Sequence, residues 1–392
     1  MVKRKRRTDE TNKQHANPRK NARKAARKAA RKAARKAARK AARQQEETGG
    51  SHQTAKQPET KASTDIVNQV LPVDFFEFYC EYHGHTPEML STVRTLLLAT
   101  EPSLSFVYFL GDSSLDNKHW LLSNHNKLVC RGPVCGANIA PTCNGWGSVI
   151  QQGSMVQDVA YQLNFAIKAK RKAFEHGRDA DASTCTALRL AAINCAVEES
   201  TVGERAGKLL PQDKWCGTHI TERDTLVVSV GGNDIALCPS DATVRSIASL
   251  VDDGTGRSTV ARATKHLVDL FGAHVQAYIE TVLQQSAQGR RPKRIIVCMI
   301  YFPDEQSGDD SWANKSLRML GYDSDPSKLQ ALIRTIFERA TRKIAIKGVD
   351  VVTMPMFEVL NGKDHNDYVA RVEPSAKGGL KIAEALLDKI LA

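Results

Sequence analysis

The sequence predicts an α/β fold with a parallel sheet that is covered by helices on both faces. Four short apolar runs rich in β-forming residues alternate with longer stretches of helical periodicity, and such alternation is typical of parallel sheets. The four runs are residues 105–110, 226–230, 294–300 and 349–353. Two of them end in a polar motif with glycine, and ligands of such folds bind beyond the carboxyl ends of the strands.

Helical patterns surround and separate these runs. Apolar residues recur about every three to four positions, as on one face of a helix, in five stretches. These stretches are residues 66–98, 155–175, 257–286, 326–347 and 376–391. Composition is globular throughout this part of the chain, so we predict a single domain over residues 65–392.

Residues 1–43 form a strongly basic tail. They contain 19 of the 56 Lys and Arg residues and two acidic residues, so the rest of the chain is slightly acidic. From Arg23 the unit Arg-Lys-Ala-Ala is repeated five times, ending on Arg43. Ala, Arg and Lys favour helix, but like charges four residues apart oppose it. We therefore expect a solvated chain that becomes helical on an anionic surface.

The charge of the tail suits the phosphate backbone of RNA or DNA, with binding that weakens steeply as salt is added. Since no aromatic residue is present to stack on bases, such contact would lack sequence specificity. A solvating tail with no selected role is the alternative. The acidic balance of the rest of the chain gives no indication that the globular domain binds nucleic acid.

The start of the chain indicates a cytoplasmic or nuclear protein that is not secreted. Residues 3–7 are a compact basic cluster suited to nuclear import, and no apolar run follows them as in a secretory signal. A flexible polar linker is predicted over residues 44–64. No segment approaches the roughly 18 consecutive apolar residues of a membrane span.

Cysteine and histidine spacing gives no indication of a metal site or a cofactor. The nine cysteines are scattered and odd in number, which favours reduced thiols. Cys130, Cys135 and Cys143 form a cluster, but they lack the paired spacing of zinc ligands. His83 and His85 have no carboxylate or Cys at ligand spacing.

The first apolar run ends in Gly111-Asp112-Ser113, and this turn is the leading candidate for chemistry. Gly111 permits a tight turn that lifts Ser113 onto the carboxyl edge of the sheet. A serine there, within reach of a base and of free backbone N–H groups, is suited to acyl transfer. A turn that closes the strand and caps the next helix is the alternative interpretation.

The second apolar run ends in Gly231-Gly232-Asn233-Asp234. The two glycines let the backbone approach a ligand closely, and the Asn233 side chain offers an N–H donor for the oxyanion of a tetrahedral intermediate. A simple glycine turn with an Asn cap is again the alternative.

A strand ending in Gly-Asp-Ser, followed along the chain by a strand ending in Gly-x-Asn-Asp, resembles the SGNH (GDSL-type) hydrolase superfamily. The resemblance covers residues 105–390. It implies a flavodoxin-like three-layer αβα sandwich that hydrolyses esters, thioesters or carbohydrate esters. It also implies Ser113 as the nucleophile and Asn233 as a donor in the oxyanion hole, with a small-molecule, lipid or carbohydrate ester as substrate.

At two other positions this sequence differs from the family pattern. In the block that runs from Asn194 to Thr201, Glu199 stands where the family has glycine. A carboxylate beside a developing oxyanion is repulsive, and a positive φ would strain a residue other than glycine. Gly203 is an alternative donor if the loop is shifted.

The general base is also displaced from the family pattern. Glu373, in Glu373-Pro374-Ser375, stands where the resemblance implies a histidine. Three hypotheses remain open. His365 acts as the base, oriented by Asp364 or Asp367; or Glu373 accepts the serine proton, which requires burial to raise its pKa. In the third, the domain no longer hydrolyses esters and is a ligand-binding or scaffold protein tethered to nucleic acid by its tail.

Overall fold

The computed structural model describes residues 70–122, 137–175, 187–251, 264–308 and 311–392. The predicted tail over residues 1–43 and the linker over 44–64 lie outside these ranges. The α/β fold class is confirmed by a five-stranded parallel sheet with helices on both faces. The sheet strands are β1 (Ser105–Gly111), β4 (Leu190–Asn194), β5 (Thr225–Ser229), β6 (Arg294–Met299) and β7 (Asp350–Pro355).

Two small antiparallel pairs lie outside the main sheet. They are β2 (Ile139–Pro141) with β3 (Ser154–Val156), and β8 (Tyr368–Val369) with β9 (Glu373–Pro374). The helices are α1 (Phe75–Cys80), α2 (Pro87–Thr100), α3 (Lys118–Leu122), α4 (Val159–Glu175), α5 (Val202–Gly207), α6 (Pro211–His219), α7 (Gly232–Ala236), α8 (Asp241–Val251), α9 (Val275–Leu283), α10 (Asn314–Met319), α11 (Pro326–Arg339) and α12 (Ala376–Leu391).

The order of the strands in the sheet is β4-β1-β5-β6-β7. The first strand of the sheet is thus flanked by the second and the third, which is the flavodoxin-like order. The chain adds β4 on one side of β1 and then adds β5, β6 and β7 on the other side. In such folds ligands bind in the crevice beyond the carboxyl ends of the strands at this change of side, here β1 and β5. The two polar motifs follow these two strands.

The alternation of side chains along each strand produces a separate core on each face. On β1, Phe106, Tyr108 and Leu110 pack with α2, α6 and α9, while Val107 and Phe109 pack on the opposite face with α4 and α12. Because strands of a parallel sheet are buried on both faces, they are continuously apolar. This is why four of the strands could be predicted from apolar runs in the sequence.

Strand β4 was not predicted, because it carries the helix-favouring pair Ala191-Ala192. Its parallel pairing with β1 and its complete burial override that preference. At its outer edge, the side chain of Asn164 of α4 accepts from the N–H of Ala192 and donates to its carbonyl. This contact opposes the pairing of a further strand at Ala192.

Several predicted helices are shorter in the structure. The stretch 66–98 contains two helices, α1 and α2. Gly84, with a φ of +76°, lies between them, and α2 begins at Pro87. The stretch 326–347 ends as a regular helix at Arg339, and 376–391 matches α12. In the described residues, no helix is both long enough and apolar enough to span a bilayer.

Candidate active site

The turn after β1 is fixed by a contact that only glycine permits. Gly111 has a φ of +146°, and a Cβ at this position would lie 1.7 Å from the Ser229 carbonyl oxygen of β5. The next residue, Asp112, donates its N–H to the same carbonyl at 3.1 Å. Ser113 is therefore held at the carboxyl edge of the sheet, where β1 and β5 meet, and its side chain is buried.

Asp112 stabilises the turn from inside. Its carboxylate accepts from the N–H and the hydroxyl of Ser114, at 3.0 and 2.7 Å, and the Ser114 hydroxyl also contacts that of Ser229. Burial raises the pKa of Asp112 to about 6, against these hydrogen bonds. Both hydrogen bonds end on the Oδ1 atom, so this oxygen of the carboxyl is engaged in the turn.

Asn117 ties this turn to the hairpin that carries Glu373. Its side-chain N–H donates to the Pro374 carbonyl at 2.7 Å, and its side-chain oxygen accepts from the N–H of Val159 at 3.2 Å. One side chain therefore joins the turn after β1, the strand β9 and the start of α4. This places the segment with Glu373 beside Ser113.

Glu373 is the ionisable group that meets Ser113. It is 1% exposed, and burial raises its pKa to about 8, while hydrogen bonding from the hydroxyl of Ser113 acts in the opposite direction. Among the described residues, its Oε2 atom has no hydrogen-bond partner. A carboxyl in this state is a far better proton acceptor for a serine than one with its ordinary pKa.

Asn233 lies on α7, directly after the turn at Gly231, where φ is +114°. Its side-chain nitrogen donates one hydrogen to the Ser200 carbonyl at 3.1 Å, which fixes the amide and leaves its second hydrogen for a ligand. Asp234 accepts from the N–H groups of Val202 and Gly203. The N–H of Gly203 is thus engaged in this contact, so it does not serve as the alternative oxyanion donor.

Ser113, Asn233 and Glu373 line one cavity of about 100 Å³. The remaining wall is mostly apolar. It includes Ile300, Leu317, Leu320, Leu329, Ile333 and Val372. An apolar cavity with a few convergent polar groups at the strand ends is the usual form of a small-molecule site.

His365 lies elsewhere. It does not line this cavity, its side chain is 57% exposed, and its Nδ1 atom contacts the buried carboxylate of Asp304. The orienting partners that the sequence suggested were wrong, because Asp364 and Asp367 are held by the lysines of α12 that follow the hairpin. Asp304 follows β6, more than 60 residues earlier, so sequence spacing gave no signal of this pair.

Glu199 has the left-handed backbone expected from the family pattern, with φ at +60°. Its carboxylate accepts from the hydroxyl of Tyr82 at 3.2 Å, and it is not among the residues that line the cavity. The side chain that replaces glycine is therefore drawn toward Tyr82.

Two residues of the site were missed by sequence reasoning, Trp312 and Glu198. Trp312 lines the cavity from the loop before α10, and Glu198 is a buried carboxyl in the block after β4. Trp312 belongs to no motif, and Glu198 stands beside Glu199 in the block from Asn194 to Thr201 without being singled out by the family pattern.

The groups considered for metal binding lie apart from this cavity. His85 is buried against the ring of Phe78 at 3.8 Å, and Cys143 is a core residue. Cys130 and Cys135 lie outside the described residues. Across the described ranges, no group of three or more His, Cys, Asp or Glu residues is arranged to hold a metal ion.

No family model matches the chain, and no curated protein matches it. Among solved structures, it is similar to a protein from Parabacteroides merdae described as a GDSL-like lipase, with 13% identity and a TM-score of 0.36, over 74% of this chain and 96% of that chain. It is also similar to an extracellular lipase from Streptomyces rimosus, with 13% identity and a TM-score of 0.33, over 73% of this chain and 99% of that chain. A carbohydrate acetylesterase from Sinorhizobium meliloti gives 12% identity and a TM-score of 0.32, over 73% of this chain and 98% of that chain. Similarity at this level carries no argument about the chemistry of this chain.

Proposed function

We propose that this protein is a serine-dependent ester hydrolase in which Ser113 is the nucleophile, Glu373 the general base and Asn233 an oxyanion donor. The observation that carries the proposal is that these three side chains line one cavity at the carboxyl edge of the sheet. The motif order along the chain, which resembles that of the SGNH hydrolases, supports the same assignment.

The reaction follows from the properties of each group. Ionised Glu373 accepts the proton of the Ser113 hydroxyl as the oxygen attacks the ester carbonyl. The free hydrogen of the Asn233 amide donates to the resulting oxyanion, a contact that typically lowers the barrier by roughly 3 kcal/mol. Protonated Glu373 then returns its proton to the leaving alcohol, and an acyl-enzyme remains. Water, deprotonated by the same carboxylate, then attacks the acyl carbonyl. The bond from this carbon to the Ser113 oxygen breaks, Glu373 returns the proton to that oxygen, and the acid is released.

The wall of the cavity indicates the kind of ester. Its volume of about 100 Å³ is small, and its side chains beyond the polar edge are aliphatic or aromatic. Apolar surface favours an uncharged acyl group over a sugar, because sugar hydroxyls would lose their hydrogen bonds to water there. We therefore assign the cavity to the acyl group of a small ester.

Labelling by a fluorophosphonate probe tests the nucleophile and the base together. We expect the native chain to be labelled and Ser113→Ala to take up no label. Glu373→Gln should slow labelling by about 100-fold or more, because the amide cannot accept a proton. His365→Ala is the control and should be labelled at the native rate. Native labelling of Glu373→Gln, or loss of labelling in His365→Ala, would contradict the assignment of the base.

A ligand-binding domain without turnover is the second candidate. The observation that favours it is that no histidine of the described residues lines the cavity with Ser113. Under this hypothesis the native chain takes up no label while an authentic serine hydrolase does, and a fatty acid of short chain still protects the protein against thermal unfolding. Labelling of Ser113 would exclude it.

For the tail we propose non-specific contact with RNA or DNA in the cytoplasm or nucleus. A chain that starts at residue 60 should lose binding to single-stranded RNA, and full-length binding should fall steeply with salt. Replacement of the repeat arginines by glutamine is the matched control for length. Binding that persists in the shortened chain would place the contact on the acidic domain and contradict the proposal.

A further inference from the structure

A second buried carboxyl group, that of Glu198, lies beside the candidate site and is not used by the mechanism above. It follows β4 by four residues and is 3% exposed. Its Oε1 atom accepts from the indole N–H of Trp120 at 3.0 Å, but its Oε2 atom has no partner among the described residues. A buried carboxyl oxygen without a partner costs free energy unless the group holds a proton or binds a ligand.

Two adjacent residues of the turn after β1 bring Glu198 to Glu373. The carboxylate of Asp116 accepts the backbone N–H of Glu198, and the side chain of Asn117 donates to the Pro374 carbonyl at 2.7 Å. The segments that carry the two glutamates are therefore anchored side by side. Both side chains are almost fully buried, and each has one unpartnered oxygen among the described atoms.

The surroundings of this carboxyl pair favour a shared proton. Burial and, after it, the charge of Glu373 raise the pKa of Glu198 to about 9. Other groups act on the pair from the elements packed around it. They are Asp112, Asp116, Lys118, Tyr82 and Tyr301. Lys118 is bound to both oxygens of Asp116, at 2.6 and 2.7 Å, so its charge is already matched there.

We propose that Glu198 is a positioning residue of the hydrolytic site: its protonated carboxyl donates a hydrogen bond to Glu373 and so orients the carboxylate that accepts the Ser113 proton. This inference rests on the proposed function of Ser113 and Glu373. In the active state the pair carries one proton, on Glu198. A second ionisation leaves two adjacent negative charges, which remove the hydrogen bond and repel the oxyanion.

An infrared titration of buried carboxyl groups tests the pair without any need for activity. In Glu373→Gln we expect the remaining Glu198 to lose its proton at lower pH than in the native chain, because the neighbouring charge is gone. Glu338→Gln, an exposed carboxylate on α11, is the control and should leave the titration unchanged. An unaltered Glu198 titration in Glu373→Gln would overturn the inference.

The labelling rate of Ser113 against pH tests the positioning role. The native rate should rise as the pair loses its first proton and fall as it loses the second, and both steps should lie above the ordinary pKa of a glutamate because burial raises the pKa of both groups. Glu198→Gln keeps a donor but cannot ionise, so its profile should keep the rise and lose the fall. Glu198→Ala should label more slowly at every pH, and its rise should move to higher pH because the donor is lost.

The possible failures are distinguishable. An unlabelled native chain overturns the proposed function, and the infrared titration then still decides whether the two carboxyls interact. A labelled native chain whose pH profile is identical in Glu198→Gln and Glu198→Ala overturns the positioning role and leaves the proposed function intact.

Discussion

Both halves of the candidate site contain residues with a positive φ, but the residue types that adopt it differ between the halves. In the half formed by the ends of β1 and β5, the chain takes a positive φ at glycine, Gly111 and Gly231. In the half formed by the loop after β4 and the hairpin β8–β9, it does so at Glu199, Ala370 and Arg371, with φ between +50° and +70°. A left-handed conformation costs a residue with a side chain about 1–2 kcal/mol, so the second half keeps its shape only with support from outside.

That support comes from hydrogen bonds to the hairpin. Arg371 is 2% exposed, and its guanidinium donates twice to the Asp304 carbonyl and once each to Asn314 and Asp323. The hydroxyl of Ser311 donates to the Ala370 carbonyl. Glycine therefore lets the turn that carries Ser113, the proposed nucleophile, pack directly on β5, whereas the hairpin that carries Glu373, the proposed base, keeps its left-handed backbone through side-chain hydrogen bonds.

The largest effect is expected at the glycine half. Gly111→Ala would place a methyl group against the Ser229 carbonyl, at a φ that alanine rarely adopts. The β1–β5 edge must open to accept it, so we expect a loss of more than about 4 kcal/mol in the free energy of unfolding, measured in urea. Gly153→Ala is the control: it also has a positive φ, but nothing lies within 4 Å of the added Cβ. A similar loss in both variants would show that φ alone, and not the contact with β5, sets the cost.

An intermediate effect is expected in the half supported by contacts. Arg371→Met removes all four guanidinium hydrogen bonds and leaves the buried Asp304 carbonyl unpaired, so we expect a loss of about 3 kcal/mol in the free energy of unfolding. Arg318→Met removes the other cation near Asp323, but Arg318 is 73% exposed, and the loss should be below about 0.5 kcal/mol. Urea unfolding of both variants measures the difference. Equal losses would mean that the hairpin does not depend on Arg371.

The same difference between the two halves explains which parts of the site could be predicted from the sequence. Gly111 with Ser113, and Gly231 with Asn233, were legible because a glycine at a strand end is a local signal and the apolar runs locate the strands. Strand β4 was missed because pairing and burial override its alanines. Glu373 lines the same cavity as Trp312, and His365 contacts Asp304. The residues of each pair lie about 60 positions apart, and no pattern along the chain encodes their proximity.

The smallest effect is expected when glycine is introduced into the half that depends on contacts. Ala370→Gly removes the left-handed strain of about 1–2 kcal/mol, while the greater freedom of glycine in the unfolded chain costs about 0.4–1 kcal/mol. The Ala370 carbonyl and its contact with Ser311 are retained, so we expect a net gain of about 0.5 kcal/mol in urea unfolding. Glu199→Gly removes similar strain but also loses the Tyr82 hydrogen bond, and should be close to neutral. A loss of stability in Ala370→Gly would mean that alanine causes no backbone strain at this position of the hairpin.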